Sequence, residues 1–184
     1  PASMYEAMHA TSITPSGVAL PMEGQLRPHF FTGVATVVFK LFVHIPADFA
    51  IFGEKDFQQL AVIRQMVKDL DINIHILAHP TIREADGLAL SSRNYYLSTK
   101  ERRLAPKIYK QMQETTVLLK KGVEASIALK QAKEKLHSAG FDKIDYYDLC
   151  QPDDLQPCNR PTENSRIFTA IWLGSTRLID NCAL

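Results

Sequence analysis

The run Asp48-Phe49-Ala50-Ile51-Phe52-Gly53-Glu54-Lys55-Asp56-Phe57-Gln58-Gln59-Leu60 joins two patterns of different period. Asp48 to Phe52 is a short apolar stretch with Pro46 ahead of it and Gly53 behind, which predicts a strand buried on both faces of a parallel sheet. Beyond the glycine, Phe57, Leu60, Ile63, Val67 and Leu70 share one helical stripe, while Lys55, Gln58, Gln59 and Arg64 take the other sides. Ile72 to Leu77 alternates and is rich in isoleucine, a second strand that Pro80 ends. Together these make a βαβ unit, because parallel strands need a crossover of this length.

In open α/β sheets the carboxyl end of such a strand is where ligands bind, since free backbone N–H groups and the helix dipole favour an anion there. Lys55 and Gln59 are four apart and share a face, so a cation and an amide project together. Lys55 suits phosphate oxygens or a carboxylate. The same turn equally reads as a solvated first turn in which Glu54 and Asp56 satisfy the helix N-terminus. A second candidate, Ser91-Ser92-Arg93-Asn94, follows the second strand and is expected on the same rim. Its hydroxyls and guanidinium suit a polyphosphate that sheds charge as a bond breaks, and its residue types also suit an ordinary surface turn. Arg27, beside Pro28, admits both a carboxylate- or phosphate-reading role and that of a plain surface charge.

Outward from this unit, the segment before Arg27 reads as irregular connection with one short strand around Val18 to Leu20, and Thr32 to Phe42 as a helix. After Tyr96 the texture changes. Ser98 and Glu101 have capping-box spacing before a long helix to about Lys121 that Pro106 kinks, and a second helix runs from Val123 to Ser138 with Gly140 as its terminator. Lys143–Leu149, Arg166–Leu173 and Thr176–Ile179 read as strands, the last two forming a hairpin around Gly174 and Ser175. The expected division is therefore 1–96 and 97–184.

Composition narrows the function classes. With 184 residues and 46% hydrophobic content the chain can bury a core, which excludes a disordered polypeptide. Twenty-one basic against 20 acidic residues leave a net charge of +1, too little to hold nucleic acid or an anionic membrane by a global field. The basic excess between Glu101 and Lys121 lacks interleaved surface aromatics for base stacking and reads as a solvated face. Lys40, His44 and Asp48 interrupt the longest apolar stretch, short of the roughly 18 residues a membrane span needs. Three cysteines without C-x-x-C spacing point to a reducing, cytoplasmic home, and six histidines without H-E-x-x-H or zinc spacing leave no expected metal site. Neither G-x-G-x-x-G nor a Walker pattern is present. The first residue is proline rather than methionine, which suggests a start inside a longer protein.

Phe52-Gly53-Glu54-Lys55-Asp56-Phe57-Gln58-Gln59-Leu60, Arg83-Glu84-Ala85-Asp86-Gly87-Leu88-Ala89 and Ser91-Ser92-Arg93-Asn94 together resemble the pantothenate synthetase (pantoate-β-alanine ligase) family. Glu23-Gly24, Arg27-Pro28, Gly33 to Val38, Lys40-Leu41-Phe42, Trp172-Leu173-Gly174 and Arg177 to Asn181 extend the resemblance over nearly the whole chain. It implies an α/β fold, namely the later part of a Rossmann-like nucleotidyltransferase domain (1–96) followed by a small α+β C-terminal domain (97–184). It also implies synthesis of pantothenate from pantoate, β-alanine and ATP through a pantoyl adenylate, releasing AMP and pyrophosphate, with Mg²⁺ held by a protein ligand outside this chain. By the same resemblance Lys55, Ser91, Ser92 and Arg93 would be catalytic, and Gly53, Lys55, Asp56, Ile82, Ser91, Ser92, Arg93 and Arg27 would bind the nucleotide. Gln59, Val34, Val37 and Val38 would bind pantoate, and the assembly would be a homodimer.

Two departures accompany the resemblance. Arg27-Pro28-His29-Phe30 shifts a family histidine, and the family's His-x-Gly-His motif belongs to a preceding half of the Rossmann domain that is not in this sequence. The resulting expectation is a C-terminal portion that is inactive alone, with a non-catalytic binding or oligomerisation module as the alternative.

Overall fold

The computed structural model describes residues 4–184, so the irregular reading of the first three lies outside the described residues. The chain forms two compact units that divide between His79 and Pro80. No helix among the described residues is long and apolar enough to cross a membrane.

In the first unit, α1 (Glu23–Leu26) and α2 (Phe30–His44) precede β1 (Phe49–Gly53), α3 (Phe57–Asp69) and β2 (His75–His79). β1 and β2 pair in parallel, from Phe49 opposite His75 to Gly53 opposite His79, so the βαβ unit is as expected. β2 starts later than the isoleucine pattern suggests because α3 ends in a Schellman turn: Asp71 is left-handed (φ +50°) and the Ile72 N–H donates to the Val67 carbonyl at 3.0 Å. Ala35 and Val38 of α2 pack with Ile63 and Met66 of α3, and Phe52 and Ile76 lean on that core from one face of the sheet. The opposite face carries Phe49, Ile51 and Leu77 at 60%, 67% and 44% exposure, so the expected burial on both faces is corrected to burial on one.

The expected strand around Val18 is instead a 3₁₀ turn at Gly17–Ala19 followed by α1. Gln58 fixes this arrangement. Its side-chain nitrogen donates to the carbonyls of Val18 (2.9 Å) and Pro21 (2.7 Å), and its oxygen accepts from the Glu23 N–H at 3.1 Å. Backbone groups that a strand would have paired across a sheet are satisfied by one buried amide.

In the second unit, α4 (Thr99–Leu104), α5 (Lys107–Lys120) and α6 (Ala125–Ser138) pack on an antiparallel sheet of β3 (Lys143–Cys150), β4 (Arg166–Leu173) and β5 (Thr176–Ala183), in the order β3-β4-β5. The Ser98–Glu101 capping box forms, with Glu101 accepting from the Ser98 N–H at 2.7 Å and Ser98 accepting from the Glu101 N–H at 3.3 Å. Pro106 divides the expected long helix into α4 and α5, because it has no N–H to continue the ladder. Gly140 ends α6 at φ +98°. Met112, Ala128, Ala132, Leu136, Tyr147 and Ile171 form the core, in which Tyr147 Oη and Thr115 Oγ1 share a hydrogen bond of 2.9 Å.

The fold class is thereby corrected. The described residues form a mixed α/β fold with two sheets, one parallel and one antiparallel, rather than a later Rossmann part and a separate α+β domain. The physical reason lies in residues 80–96, which pack with the three-stranded sheet. Arg83 forms a bidentate pair with Asp180 of β5, and Arg93 donates to the Arg177 carbonyl.

A bulge in β3 between Ile144 and Tyr146 turns Asp145 inward. Its Oδ2 accepts from Arg177 Nε (2.7 Å) and Trp172 Nε1 (2.9 Å), and its Oδ1 meets Lys143 Nζ at 2.9 Å. Burial works to raise this carboxyl, but the bonds from Arg177, Lys143 and Trp172 together outweigh it and bring its pKa down to about 2. A carboxyl depressed on folding stabilises above its unfolded pKa of about 3.9, and that stability is lost as pH falls toward 2. Asp145→Asn should therefore flatten the acid limb of the stability-pH curve between about pH 4 and 2, read by urea midpoints across that window. An unchanged acid limb would assign acid sensitivity to other carboxylates.

Candidate functional site

In the first unit the carboxyl end of β1 runs through a 3₁₀ turn at Glu54–Asp56 directly into α3. Gly53 has an extended backbone (φ −72°), and a Cβ built on it meets no atom within 4 Å, so the strand end presents open backbone. Lys55 is 19% exposed, with Nζ 3.9 Å from Asp56 Oδ2, and Asp56 is half exposed. Gln59 is half-buried one turn along α3. The structure thus brings Gly53, Lys55, Asp56 and Gln59 together on one strand-turn-helix corner, at the pole where backbone N–H groups favour an anion.

The other first-unit candidates sit apart in the chain. Arg27 meets Glu23 Oε2 at 3.5 Å and lies 3.7 Å over the Phe30 ring, a stacked and paired guanidinium that remains partly exposed. Val38 is buried with Ile63 and Met66, whereas Val34 and Val37 are half-buried beside that core.

In the second unit, residues 82–90 double back on themselves. The Leu90 N–H donates to the Ile82 carbonyl (2.9 Å), the Glu84 N–H to the Leu88 carbonyl (2.8 Å), and Arg83 bridges Ala89. Ile82 is exposed on this arm. Ser91, Ser92 and Arg93 then form the start of a 3₁₀ turn running to Tyr96, in which Ser91 Oγ accepts from the Arg93 N–H at 3.2 Å. Ser92 and Arg93 are exposed, with Arg93 Nη1 reaching the Arg177 carbonyl at 3.3 Å.

Sequence reasoning passed over the residues that shape these two corners. Gln58 looked like an outward polar position but is the buried clamp described above. Arg83 and Glu84, quoted only for the resemblance, Asn94, read as the end of a candidate loop, and Arg102, read as part of a solvated helix face, knit the second corner together. No short-range spacing marks an ion pair between residues 97 apart, as Arg83 and Asp180 are. Among the described residues no group of three or more His, Cys, Asp or Glu side chains is placed to hold a metal ion.

Comparison with known proteins connects this geometry to a family. The family profile described as Pantoate-beta-alanine ligase matches residues 1–183. The pantothenate synthetase of Hyphomonas neptunium is 47% identical over 188 residues, covering 100% of this chain and 64% of that protein. The pantothenate synthetase of Rhizorhabdus wittichii is 49% identical over 183 residues, covering 100% of this chain and 65% of that protein. Among solved structures, pantothenate synthetase from Thermus thermophilus superposes with a TM-score of 0.94 at 38% identity, over 99% of this chain and 66% of that one. Pantoate-beta-alanine ligase from Francisella tularensis, solved in complex with beta-gamma ATP and beta-alanine, gives a TM-score of 0.75 at 35% identity, over 95% of this chain and 58% of that one.

The chain spans about 65% of the length of these curated relatives. Three expectations are corrected by the matches. Recognition as a C-terminal portion lacking the first half of a Rossmann domain gives way to a family match along residues 1–183. The expectation of an inactive chain is not kept, since the relatives that match 100% of this chain are named pantothenate synthetases. The alternative of a non-catalytic binding or oligomerisation module is set aside on the same ground. The chain belongs to the pantoate-beta-alanine ligase family.

Proposed function

We propose that this protein acts as a pantoate-β-alanine ligase, using ATP to join pantoate and β-alanine. The observation that carries the reading is the Gly53–Gln59 corner: a lysine and a glutamine at the carboxyl end of a parallel strand, in a chain that matches this family over residues 1–183. In the first step the pantoate carboxylate attacks the α-phosphorus of ATP and pyrophosphate leaves. Lys55, Ser91, Ser92 and Arg93 supply an ammonium, two hydroxyls and a guanidinium to the charge that develops on the phosphates. Gln59, with both a donor and an acceptor, is assigned to pantoate together with the apolar Val34, Val37 and Val38, and Gly53, Asp56, Ile82 and Arg27 are assigned to the rest of the nucleotide. In the second step the β-alanine amine attacks the activated acyl carbon, AMP departs and the amine gives up a proton. The protein's task there is to align the reactants and keep water from the adenylate.

Mg²⁺ belongs to this reading only as an ion travelling with the ATP phosphates, and no step is assigned to it. Cytoplasmic location, a homodimer, and a functional division into a nucleotide- and pantoate-binding part (1–96) and an α+β part (97–184) complete the proposal. AMP release measured with each substrate omitted in turn tests it. Release should require pantoate, β-alanine and ATP together; equal release with pantoate replaced by another hydroxy acid would overturn the substrate assignment.

A further inference from the structure

The Ser91–Arg93 turn is exposed on two of its three residues, and its local anchors are few: Ser91 Oγ to the Arg93 N–H, the Asn94 N–H to the Ser91 carbonyl (3.1 Å), and Arg93 Nη1 to the Arg177 carbonyl. A turn that stabilises developing charge must be ordered before its ligand arrives, and ordering it costs backbone entropy at every residue fixed. The structure supplies that order from outside the turn. Arg102 of α4 forks between two carboxylates, Nη1 to Asp86 Oδ2 and Nη2 to Glu84 Oε2, each at 2.6 Å. The other oxygen of Glu84, Oε1, accepts from Asn94 Nδ2 at 2.9 Å, and the same nitrogen donates to the Ala89 carbonyl at 3.1 Å. Asn94 directly follows Arg93. The root of the path is firm, since α4 begins at the Ser98–Glu101 capping box.

We propose that Arg102 is a positioning residue: through Glu84 and Asn94 it holds the Ser91–Arg93 turn in the arrangement that receives the phosphates of ATP. This rests on the phosphate-binding reading of that turn given above. Magnitudes favour positioning over a purely structural role. Arg102, Glu84 and Asp86 are each about a third or more exposed, and ion pairs of that kind contribute little to global stability. Two strong hydrogen bonds from one guanidinium do, however, fix the direction of both carboxylates, which a lysine's single point charge cannot reproduce. The Asp86 carboxyl is accordingly held below its ordinary range, chiefly by the bond from Arg102.

Arg102→Gln should raise KM for ATP about tenfold, leave KM for pantoate and β-alanine within about twofold, and move the melting temperature by only about 2–4 °C. Hydrogen exchange of residues 91–96 should quicken in the same variant, while that of α5 and α6 stays as in the parent. Arg102→Lys, which keeps the charge and guards against a folding failure, should fall between the two. Arg93→Ala separates the two layers of the argument. If it leaves KM for ATP unchanged, the phosphate reading of the turn is wrong. If it raises KM for ATP while both Arg102 variants match the parent in KM and exchange, the reading stands and the positioning role is overturned. Equal increases in KM for all three substrates would likewise overturn it.

Discussion

Lys55→Ala should lower kcat/KM for adenylate formation by about two to three orders of magnitude, the loss found when a single donor to a developing oxyanion is removed. The side chain is well placed for so large an effect. It stands on the 3₁₀ turn between β1 and α3, is 19% exposed, and sits where the dipole of α3 already favours an anion, so its charge acts in a partly water-excluded setting. The ion pair with Asp56 is long at 3.9 Å and its acceptor is half exposed, a geometry worth no more than about 1 kcal/mol. Activity and stability should therefore separate: pantoate-dependent exchange of pyrophosphate into ATP collapses while the melting temperature shifts by less than about 4 °C. Lys55→Arg should recover only part of the loss, because a planar fork does not replace a compact ammonium at a phosphate. Exchange within about threefold of the parent for Lys55→Ala would remove Lys55 from the site.

The corner that carries Lys55 was readable in the sequence because every signal for it is local. A short apolar run, a glycine and a 3.6-residue stripe specify β1, the turn and α3 in one continuous stretch, and parallel pairing to β2 follows from the crossover. The Ser98–Glu101 box and the left-handed Gly140 are local in the same sense. What escaped depends on partners distant in the chain. Gln58 replaces a strand's backbone pairing with contacts 35 to 40 residues away. The loop after β2 read as an appendage of the parallel sheet, yet its Arg83 and Arg93 reach β5 across intervals of 97 and 84 residues. Burial on both faces of β1 was inferred from an apolar run, but in the described residues alternate side chains lean on the α2–α3 core and face outward. Arg102 gave no signal at all, since a cation in the last turn of a short helix is favourable with no partner but the dipole.

Arg83→Met should be the most destabilising single substitution in the loop, costing about 3–5 kcal/mol. Arg83 is 16% exposed and Asp180 only 6%, and the two are joined by bonds of 2.6 and 2.9 Å. The guanidinium also donates to the carbonyls of Gly87 (3.1 Å) and Asn181 (3.3 Å) and lies 3.5 Å over the ring of Tyr109. Methionine retains much of the packing volume but removes the cation from a buried carboxylate, which keeps the Asn181 N–H as a donor at 2.8 Å. The cost is thus dominated by stranding Asp180 rather than by losing the attraction itself. That mechanism makes a second, sharper demand: Arg83→Met combined with Asp180→Asn should recover more than half of the loss, because no charge remains buried alone. For a chain of this size the single variant should melt about 6–20 °C below the parent and the double variant well above the single. Lys133→Ala, which breaks a pair to Asp148 that is 40% and 35% exposed, provides the exposed reference and should move the midpoint by less than about 4 °C. A double variant no more stable than Arg83→Met would place the cost in the Tyr109 stacking and the carbonyl contacts instead of in the stranded carboxylate.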